Sequence, residues 1–244
     1  MNTGMLTTTT AVEAIDQDDF AVPSLIDGRQ LPPGTRCVEL HTNSVDLRRY
    51  LELDSSEQEL VAGAVDRRKS DFGDSRWCAH RAMSHFSVDR PILRGERGVP
   101  VFPHGITGSI THTNGFRAAV VGRTRHWMTL GIDAEPAVTL PRGVFDTIAR
   151  RDEQRRLGTL MRRMDQPLLD TVLFSAKEAT YKAWFPLTHR FLDFDQADID
   201  IRPDGTFTSY ILARPTPVPM VEGRWIIKDG FVVTLAGVGA SRRK

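Results

Sequence analysis

Apolar residues recur along this chain with two different periods, which indicates a mixture of helices and strands. Between Pro167 and Pro186 they recur every three or four positions, the period of a helix with one buried face. Proline suits the first turn of a helix and ends a helix when it follows one, so Pro167 and Pro186 are expected to bound it. The stretch 175–184, SAKEATYKAW, has the composition of a helix and lacks glycine and proline. The sequence therefore predicts a long helix here.

Two further helical regions are predicted. The first starts near Asp54, where Ser56 and Glu59 fit a capping box and apolar residues follow at helical spacing. Its pattern bends around Phe72-Gly73 and resumes as far as residue 86. The second covers residues 144–160, is rich in charge, and is expected to break at Gly158.

Period-two alternation predicts strands on both sides of the long helix. The predicted strands cover residues 116–121, 127–135, 197–202, 207–213, 224–228 and 231–237. Asn114-Gly115 and Asp229-Gly230 are turn signals, and the second predicts a hairpin. Residues 91–108, rich in proline and glycine, are predicted to form a long loop.

The order of these elements predicts an α+β fold made of two similar halves packed together as a pseudo-dimer. Residues 1–19 have little to bury and are expected to be disordered or loosely attached. The N-terminal half is expected to span 20–124 and the C-terminal half 125–244, with a frayed tail at 241–244. No convincing sequence repeat supports the duplication.

Composition excludes several classes of function. The 244 residues carry 32 Lys and Arg against 31 Asp and Glu, a net charge of +1, which argues against nucleic acid and anionic membranes as partners. No apolar run approaches the roughly 18 residues of a membrane span, and no signal peptide is found, so a cytoplasmic protein is expected. Cys37 and Cys78 supply neither a disulfide framework nor a metal-binding spacing.

Acidic residues on two elements form the first candidate site. Asp133 and Glu135 alternate along a predicted strand and therefore point the same way, with Ile132 and Ala134 pointing into the core. Glu178 and Lys182 lie one helical turn apart. Each pair alone is better explained as ordinary: an exposed turn in the first case and a solvated ion pair in the second. If the strand faces the helix, three carboxylates meet, and such oxygen clusters suit magnesium.

Basic and hydroxyl residues form the second candidate site. Arg68 and Arg76 are eight apart and roughly aligned on a predicted helix, so they are either part of a solvated face or a phosphate site. Arg94 lies on the long loop. Ser109, Thr111 and His112 lie in a predicted small-residue loop with exposed amides. His112 alone would most often be structural, but in this loop it could equally donate to a phosphate.

Three ordered motifs carry a resemblance to a known family. They are G-S-I-T-H at 108–112, G-I-D-A-E at 131–135 and F-S-A-K-E-A-T-Y-K at 174–182. Together they resemble the 4′-phosphopantetheinyl transferases of the surfactin-synthetase-activating (Sfp) type, and most closely the actinobacterial members that activate polyketide and peptide synthases. The resemblance spans about residues 55–236.

The resemblance implies an enzyme that moves the phosphopantetheine arm of coenzyme A onto a serine of apo acyl or peptidyl carrier proteins and releases 3′,5′-ADP. It implies a monomer and a magnesium ion, with manganese as the alternative, held by Asp133, Glu135 and Glu178. Glu178 would also be the base, and Lys182 would neutralise the leaving phosphate. The remaining implied coenzyme A contacts are Lys177 at the phosphates or the pantetheine entrance, Ser109 and Thr111, and Arg68, Arg76, Arg94 and His112 at the 3′-phosphate and neighbouring phosphates.

The chain departs from the family pattern at three positions. Phe174 stands where many members have tryptophan, Val99-Pro100 stands where many have Lys-Pro, and Ala134 offers no ligand in the middle of the acidic motif. Two alternatives follow: a non-catalytic module of the same fold that binds coenzyme A or carrier proteins, and a different magnesium-dependent phosphotransferase. The first would have no reason to keep all four charged motif residues, and the second would need a glycine-rich phosphate loop that the sequence lacks.

Overall fold

The computed structural model describes residues 10–240, and within them it has the expected α+β architecture. The N-terminal half contains β1 (Ala11–Asp16), β2 (Arg36–Thr42), α1 (Arg48–Leu51), α2 (Ser55–Gln58), α3 (Asp66–Ser84), β3 (Leu93–Arg94), β4 (Pro100–Val101), β5 (Ile106–Thr113) and β6 (Gly115–Arg123). The C-terminal half contains β7 (Trp127–Pro136), α4 (Val144–Ile148), α5 (Arg151–Met164), α6 (Leu169–Thr188), β8 (Ala197–Ile201), β9 (Thr206–Ile211), β10 (Met220–Lys228) and β11 (Phe231–Gly239).

Within residues 10–240, each half has a main sheet that packs against its longest helix. The first sheet has the strand order β1-β2-β6-β5 and packs against α3, and the second has the order β7-β11-β10-β9-β8 and packs against α6. The sheets divide between β6 and β7, at residues 124–126. The edge strand β5 of the first sheet lies against the edge strand β7 of the second, so the two halves meet where the motif-bearing strands run.

The buried apolar side chains form three clusters. One lies under α3 in the N-terminal half and includes Met83, and one lies under α5 and α6 in the C-terminal half and includes Trp184. The third draws on both sheets, with Val120 from β6 and Ile132 from β7, and the segment around Ile26 closes it. The two halves therefore share a core as well as having one each.

Several sequence predictions about the boundaries of elements are wrong. Residues 11–16 form β1, which pairs in parallel with β2, so the expected disordered segment is ordered there; residues 1–9 and 241–244 lie outside the described residues. The helix α3 runs straight through Phe72-Gly73. Gly73 is required for packing, since a Cβ there would lie 2.5 Å from the backbone nitrogen of Tyr50. The cap of α2 is Asp54, which accepts from the Ser56 amide, and not the expected Ser56–Glu59 box.

The charged region after β7 also differs from its prediction. Gly158 lies inside α5, and the break falls earlier, where the Glu153 side chain accepts from the backbone amide of Arg150, the residue before α5. Pro186 lies within the last turn of α6, which ends at Thr188 with His189 in the left-handed region. The predicted loop 91–108 contains the short hairpin β3–β4 and the start of β5. Among residues 10–240, no helix combines the length and the apolar composition that crossing a membrane requires.

Candidate active site

The strand β7 presents two different faces, as its alternation predicts. Ile132 and Ala134 are buried in the shared core, while Asp133 and Glu135 point to the other face. The helix α6 packs on that face. The expected meeting of the acidic strand with the Glu178 helix is confirmed.

A glycine allows α6 to come this close. A Cβ on Gly131 would lie only 2.0 Å from the carbonyl oxygen of Ala179, so any side chain there would push the helix off the strand. One turn further along, Thr129 donates from its hydroxyl to the carbonyl of Ala183 at 2.5 Å. These contacts bring Lys182, one residue before Ala183, against the acidic end of β7.

The carboxylate of Asp133 is held by two side chains of α6. The ammonium of Lys182 donates to Asp133 Oδ1 at 2.7 Å and to the carbonyl of Ile132 at 3.0 Å. The hydroxyl of Ser175 donates to Asp133 Oδ2 at 2.8 Å. Sequence reasoning did not identify Ser175 as a site residue, although it lies seven residues before Lys182, two helical turns away on one face.

The other two carboxylates lack such compensation. The pKa of Glu135 is raised to about 7, first by loss of hydration and then by the charge of Asp133. The pKa of Glu178 is raised by the same two causes, and Lys182 opposes the rise in both. Carboxylates that raise one another's pKa lie close together and favour a bound cation or a shared proton.

A preformed metal site with three protein ligands is absent from the described part of the chain. No three acidic, histidine or cysteine side chains within residues 10–240 lie close enough together to hold an ion by themselves. The carboxylate of Asp133 is bonded to Lys182 and Ser175. The donor set still fits magnesium, because this ion usually binds through one or two carboxylates and completes its shell with water and substrate phosphates.

Glu178 and Lys182 open onto a cleft between the two halves. The cleft has a volume of about 260 Å³. Its lining residues from the N-terminal half are Arg97, Gly98, Val99, Pro100, Gly108, Ser109 and Ile110, and those from α6 are Glu178, Tyr181, Lys182, Phe185 and Pro186. Glu178 and Lys182 therefore face a cavity that is lined from both halves of one chain.

The predicted phosphate contacts fall into two groups. His112 is exposed, and its pKa is lowered by partial loss of hydration and then by the charge of Arg68; Lys182 is also close enough to contribute. Arg68, His112 and Lys182 make up the first group, and the charge of Asp71 opposes the effect of the two cations on the pKa of His112. Arg76 and Arg94 form the second group, since the charge of Arg94 contributes to lowering the pKa of Arg76.

The predicted alignment of Arg68 with Arg76 is wrong. Eight residues at 100° each leave the two side chains about 80° apart around the helix. Arg68 is exposed, whereas Arg76 is buried, donates to the carbonyl of Ile92 and lies 3.6 Å from Glu57. Burial is the main cause that lowers the pKa of Arg76 to about 10.

Lys177 does not reach the cleft. Its side chain is buried on the opposite side of α6, where the ammonium lies 2.9 Å from Glu153 and donates to the carbonyls of Phe194 and Ala197. The expectation that Lys177 contacts the phosphates or the pantetheine entrance is therefore corrected. One residue corresponds to about 100° around a helix, which separates Lys177 from Glu178.

Ser109 and Thr111 also differ from their prediction, because the expected loop is the strand β5. Both residues are buried, and their hydroxyl oxygens accept from the amides of Ile132 and Ala134, each at 3.1 Å. Through these oxygens they contact the acidic strand, and Ser109 also lines the cleft.

Two family models of known proteins match this chain. A family model described as the 4′-phosphopantetheinyl transferase N-terminal domain matches residues 56–122, and one described as the 4′-phosphopantetheinyl transferase superfamily matches residues 129–236. The interval between the two matches contains the change from β6 to β7.

Curated relatives carry the same description. The chain is 40% identical over 221 residues to 4′-phosphopantetheinyl transferase Npt of Nocardia iowensis, a match that covers 84% of this chain and 96% of the relative. It is 43% identical to Svp of Streptomyces mobaraensis, covering 74% and 76%, and 42% identical to PptT of Mycobacterium tuberculosis, covering 73% and 82%.

Proposed function

We propose, from the premise that this chain belongs to the 4′-phosphopantetheinyl transferase family, that the cleft between its halves is the place of transfer and that Glu178 and Lys182 carry it. The protein is an enzyme that transfers the phosphopantetheine arm of coenzyme A to carrier proteins. One observation carries the proposal. Glu178 and Lys182, both on α6, line the same cleft, and Lys182 is bonded to Asp133.

Glu178 is proposed to accept the proton of the carrier serine. A free glutamate is a weak base near neutral pH, but loss of hydration and the charge of Asp133 raise the pKa of Glu178. The serine oxygen attacks the phosphorus next to the pantetheine arm, and the bond between that phosphorus and the bridging oxygen breaks. The serine proton passes to Glu178, and 3′,5′-ADP leaves.

Lys182 is proposed to stabilise the charge that builds on the leaving phosphate. Its ammonium is anchored by Asp133 and the Ile132 carbonyl, so it is oriented before the substrate arrives. Arg68 and His112 are proposed to bind a further phosphate of coenzyme A, and the effect of the Arg68 and Lys182 charges on the pKa of His112 supports this. Arg94 is exposed and is proposed to contact the same phosphate, whereas Arg76 is buried and donates to the carbonyl of Ile92.

We further propose that magnesium, or manganese in its place, is held by Glu135, Glu178 and Asp133 together with the pyrophosphate. Bound there, the ion would neutralise charge on the two phosphates during transfer. The raised pKa values of Glu135 and Glu178 support this proposal, because uncompensated carboxylates favour a cation.

The proposal includes a monomer that acts in the cytoplasm on apo acyl and peptidyl carrier proteins, with the halves divided near residue 124. The cleft is lined from both halves of one chain, which supports a monomer. Light scattering on the purified protein at assay concentration tests this part.

One assay tests the function. The protein is incubated with an apo carrier protein, coenzyme A and Mg²⁺, and the carrier is weighed by mass spectrometry. We expect the mass gain of the arm, and we expect Glu178→Gln to abolish it while retaining the thermal stability of the wild type. Full transfer by a folded Glu178→Gln variant would contradict the assignment of the base, and no transfer by the wild type would favour a non-catalytic binding module.

A further inference from the structure

The acidic strand β7 is attached to the N-terminal half by two side-chain hydroxyls. β5 and β7 are edge strands of different sheets, and within residues 10–240 no backbone ladder joins them. The amides of Ile132 and Ala134 point away from the partner strand of β7, and they donate to Ser109 Oγ and Thr111 Oγ1. Side chains of β5 thus satisfy the free edge of β7.

The two bonds lie on either side of one residue. Ile132 and Ala134 immediately precede and follow Asp133, whose carboxylate meets Lys182 and Ser175. A residue whose two neighbouring amides are both fixed has little freedom to rotate about its own backbone. Burial increases the effect, because a buried amide that loses its acceptor cannot turn to water instead.

We propose that Ser109 and Thr111 are positioning residues for Asp133, and that they set the orientation of its carboxylate toward the divalent cation and Lys182. The inference rests on the proposed function, in that it takes Asp133 to be a metal ligand. It assigns to the G-S-I-T-H motif a role distinct from binding coenzyme A: every second residue of the motif supports the catalytic strand from the other half.

The chain offers matched variants for the test. Ser109→Ala and Thr111→Val remove the acceptor oxygens with little change of volume, and Ser109→Thr and Thr111→Ser keep them. Thr107→Val is the control, because Thr107 lies on the same face of β5 without a hydrogen bond to β7 among the described residues. Asp133→Asn serves as the reference for loss of the ligand itself.

The first measurement is Mn²⁺ binding, followed by electron paramagnetic resonance of the free ion without coenzyme A. Loss of residues that orient a metal ligand typically weakens metal binding about 10- to 100-fold. We expect a loss of this size in Ser109→Ala and Thr111→Val, recovery in Ser109→Thr and Thr111→Ser, and wild-type binding in Thr107→Val. The affinity for coenzyme A in metal-free buffer should stay within about twofold of the wild type, because both hydroxyl oxygens accept from amides of β7.

Two results would overturn the inference. Wild-type Mn²⁺ binding with only a lower melting temperature would give the hydroxyls a purely structural role, and weaker coenzyme A binding in metal-free buffer would make them ligand contacts. If instead Asp133→Asn binds Mn²⁺ as the wild type does, Asp133 is not a metal ligand and the metal assignment of the proposed function fails. This outcome differs from the two above, and it also overturns the inference. Should Thr111→Val not fold, Ser109→Ala and Thr111→Ser decide the question by the same titration.

Discussion

Lys182 has two electrostatic roles that a substitution can separate. It neutralises Asp133 in the free protein, and it is proposed to stabilise the leaving phosphate. Lys182→Met nearly keeps length and helix propensity, so it isolates the charge. We expect kcat to fall by about 100-fold or more with little change in the affinity for coenzyme A, because the charge on the leaving phosphate peaks in the transition state.

Single-turnover kinetics and a coenzyme A titration measure the two quantities separately. The pH profile gives a further readout: Lys182 lowers the pKa values of Glu135 and Glu178, so its loss should move the acid limb of the profile to higher pH. A raised Kd with unchanged single-turnover rates would assign Lys182 to ground-state binding.

Substitution of Lys177 should reduce the stability of the fold and leave coenzyme A binding unchanged. Breaking a buried ion pair from one side leaves an uncompensated charge and costs about 3–5 kcal/mol of stability. Lys177→Met leaves Glu153 as a buried charge without its partner, so we expect a large loss in the free energy of unfolding by urea. The folded fraction should bind coenzyme A with normal affinity. A stable Lys177→Met variant with weakened coenzyme A binding would show that Lys177 contacts coenzyme A after all.

Glu135 makes stability depend on pH. Its pKa in the folded protein is about 7, against an ordinary value of 4.5, so the folded state binds its proton more tightly than the unfolded state. The resulting destabilisation is absent below about pH 4.5, grows as the pH rises towards 7 and is complete above it. Glu135→Gln should therefore raise the melting temperature at pH 8 and leave it nearly unchanged at pH 4.5.

Differential scanning calorimetry at the two pH values checks this, with Mg²⁺ as a second arm. Added Mg²⁺ should raise the melting temperature of the wild type at pH 8 more than that of Glu135→Gln, since the ion compensates the same charge. A variant that melts like the wild type at pH 8 would show that Glu135 is well solvated in the folded protein.

At the scale of elements, the approach of α6 to β7 decides whether the site exists. Gly131→Ala places a methyl group against the Ala179 carbonyl, where the helix backbone itself must move. Overpacking of this kind costs about 1–3 kcal/mol. We expect lower stability and a loss of activity larger than that stability loss explains, because Glu178 and Lys182 move with the helix.

Gly158→Ala is the matched control. A Cβ there meets nothing nearer than 3.8 Å, and alanine in a helix interior is about 0.5–1 kcal/mol more stable than glycine. Urea unfolding and the carrier-loading assay are measured for both variants. Full activity in Gly131→Ala would show that β7 moves instead of α6 and that the site tolerates this movement.

What the sequence could predict follows the range of the interactions involved. The alternation of β7 and the helical spacing of Glu178 and Lys182 are local, and both were predicted correctly. The bond from Ser109 to Ile132 joins residues 23 apart, and the Lys177–Glu153 pair joins different helices, so no local period indicates either. The small residues of β5 suit turns and therefore predict a loop, whereas in the fold they allow a second strand to approach.

At the scale of the whole molecule, residues 10–240 contain three cores, and the third connects the two halves. Leu130 and Ile132 from the C-terminal half pack there with Phe116 and Val120 from the N-terminal half. Neither sheet can expose this face to water without losing the burial that stabilises the other. The two halves should therefore unfold together, despite the separate helix and sheet that each contains.

Leu157→Ala tests this cooperation, because Leu157 lies in the core that belongs to the C-terminal half alone. A Leu→Ala change in a core costs about 2–5 kcal/mol. Trp77 on α3 and Trp184 on α6 report on the separate halves, and fluorine NMR of 5-fluorotryptophan-labelled protein follows both in urea, with resonances assigned from Trp→Phe variants. If the shared core couples the halves, Leu157→Ala lowers the urea midpoint of Trp77 as much as that of Trp184. A midpoint that moves only for Trp184 would mean that the N-terminal half stays folded alone, and that the cleft between the halves depends on docking and not on a common core.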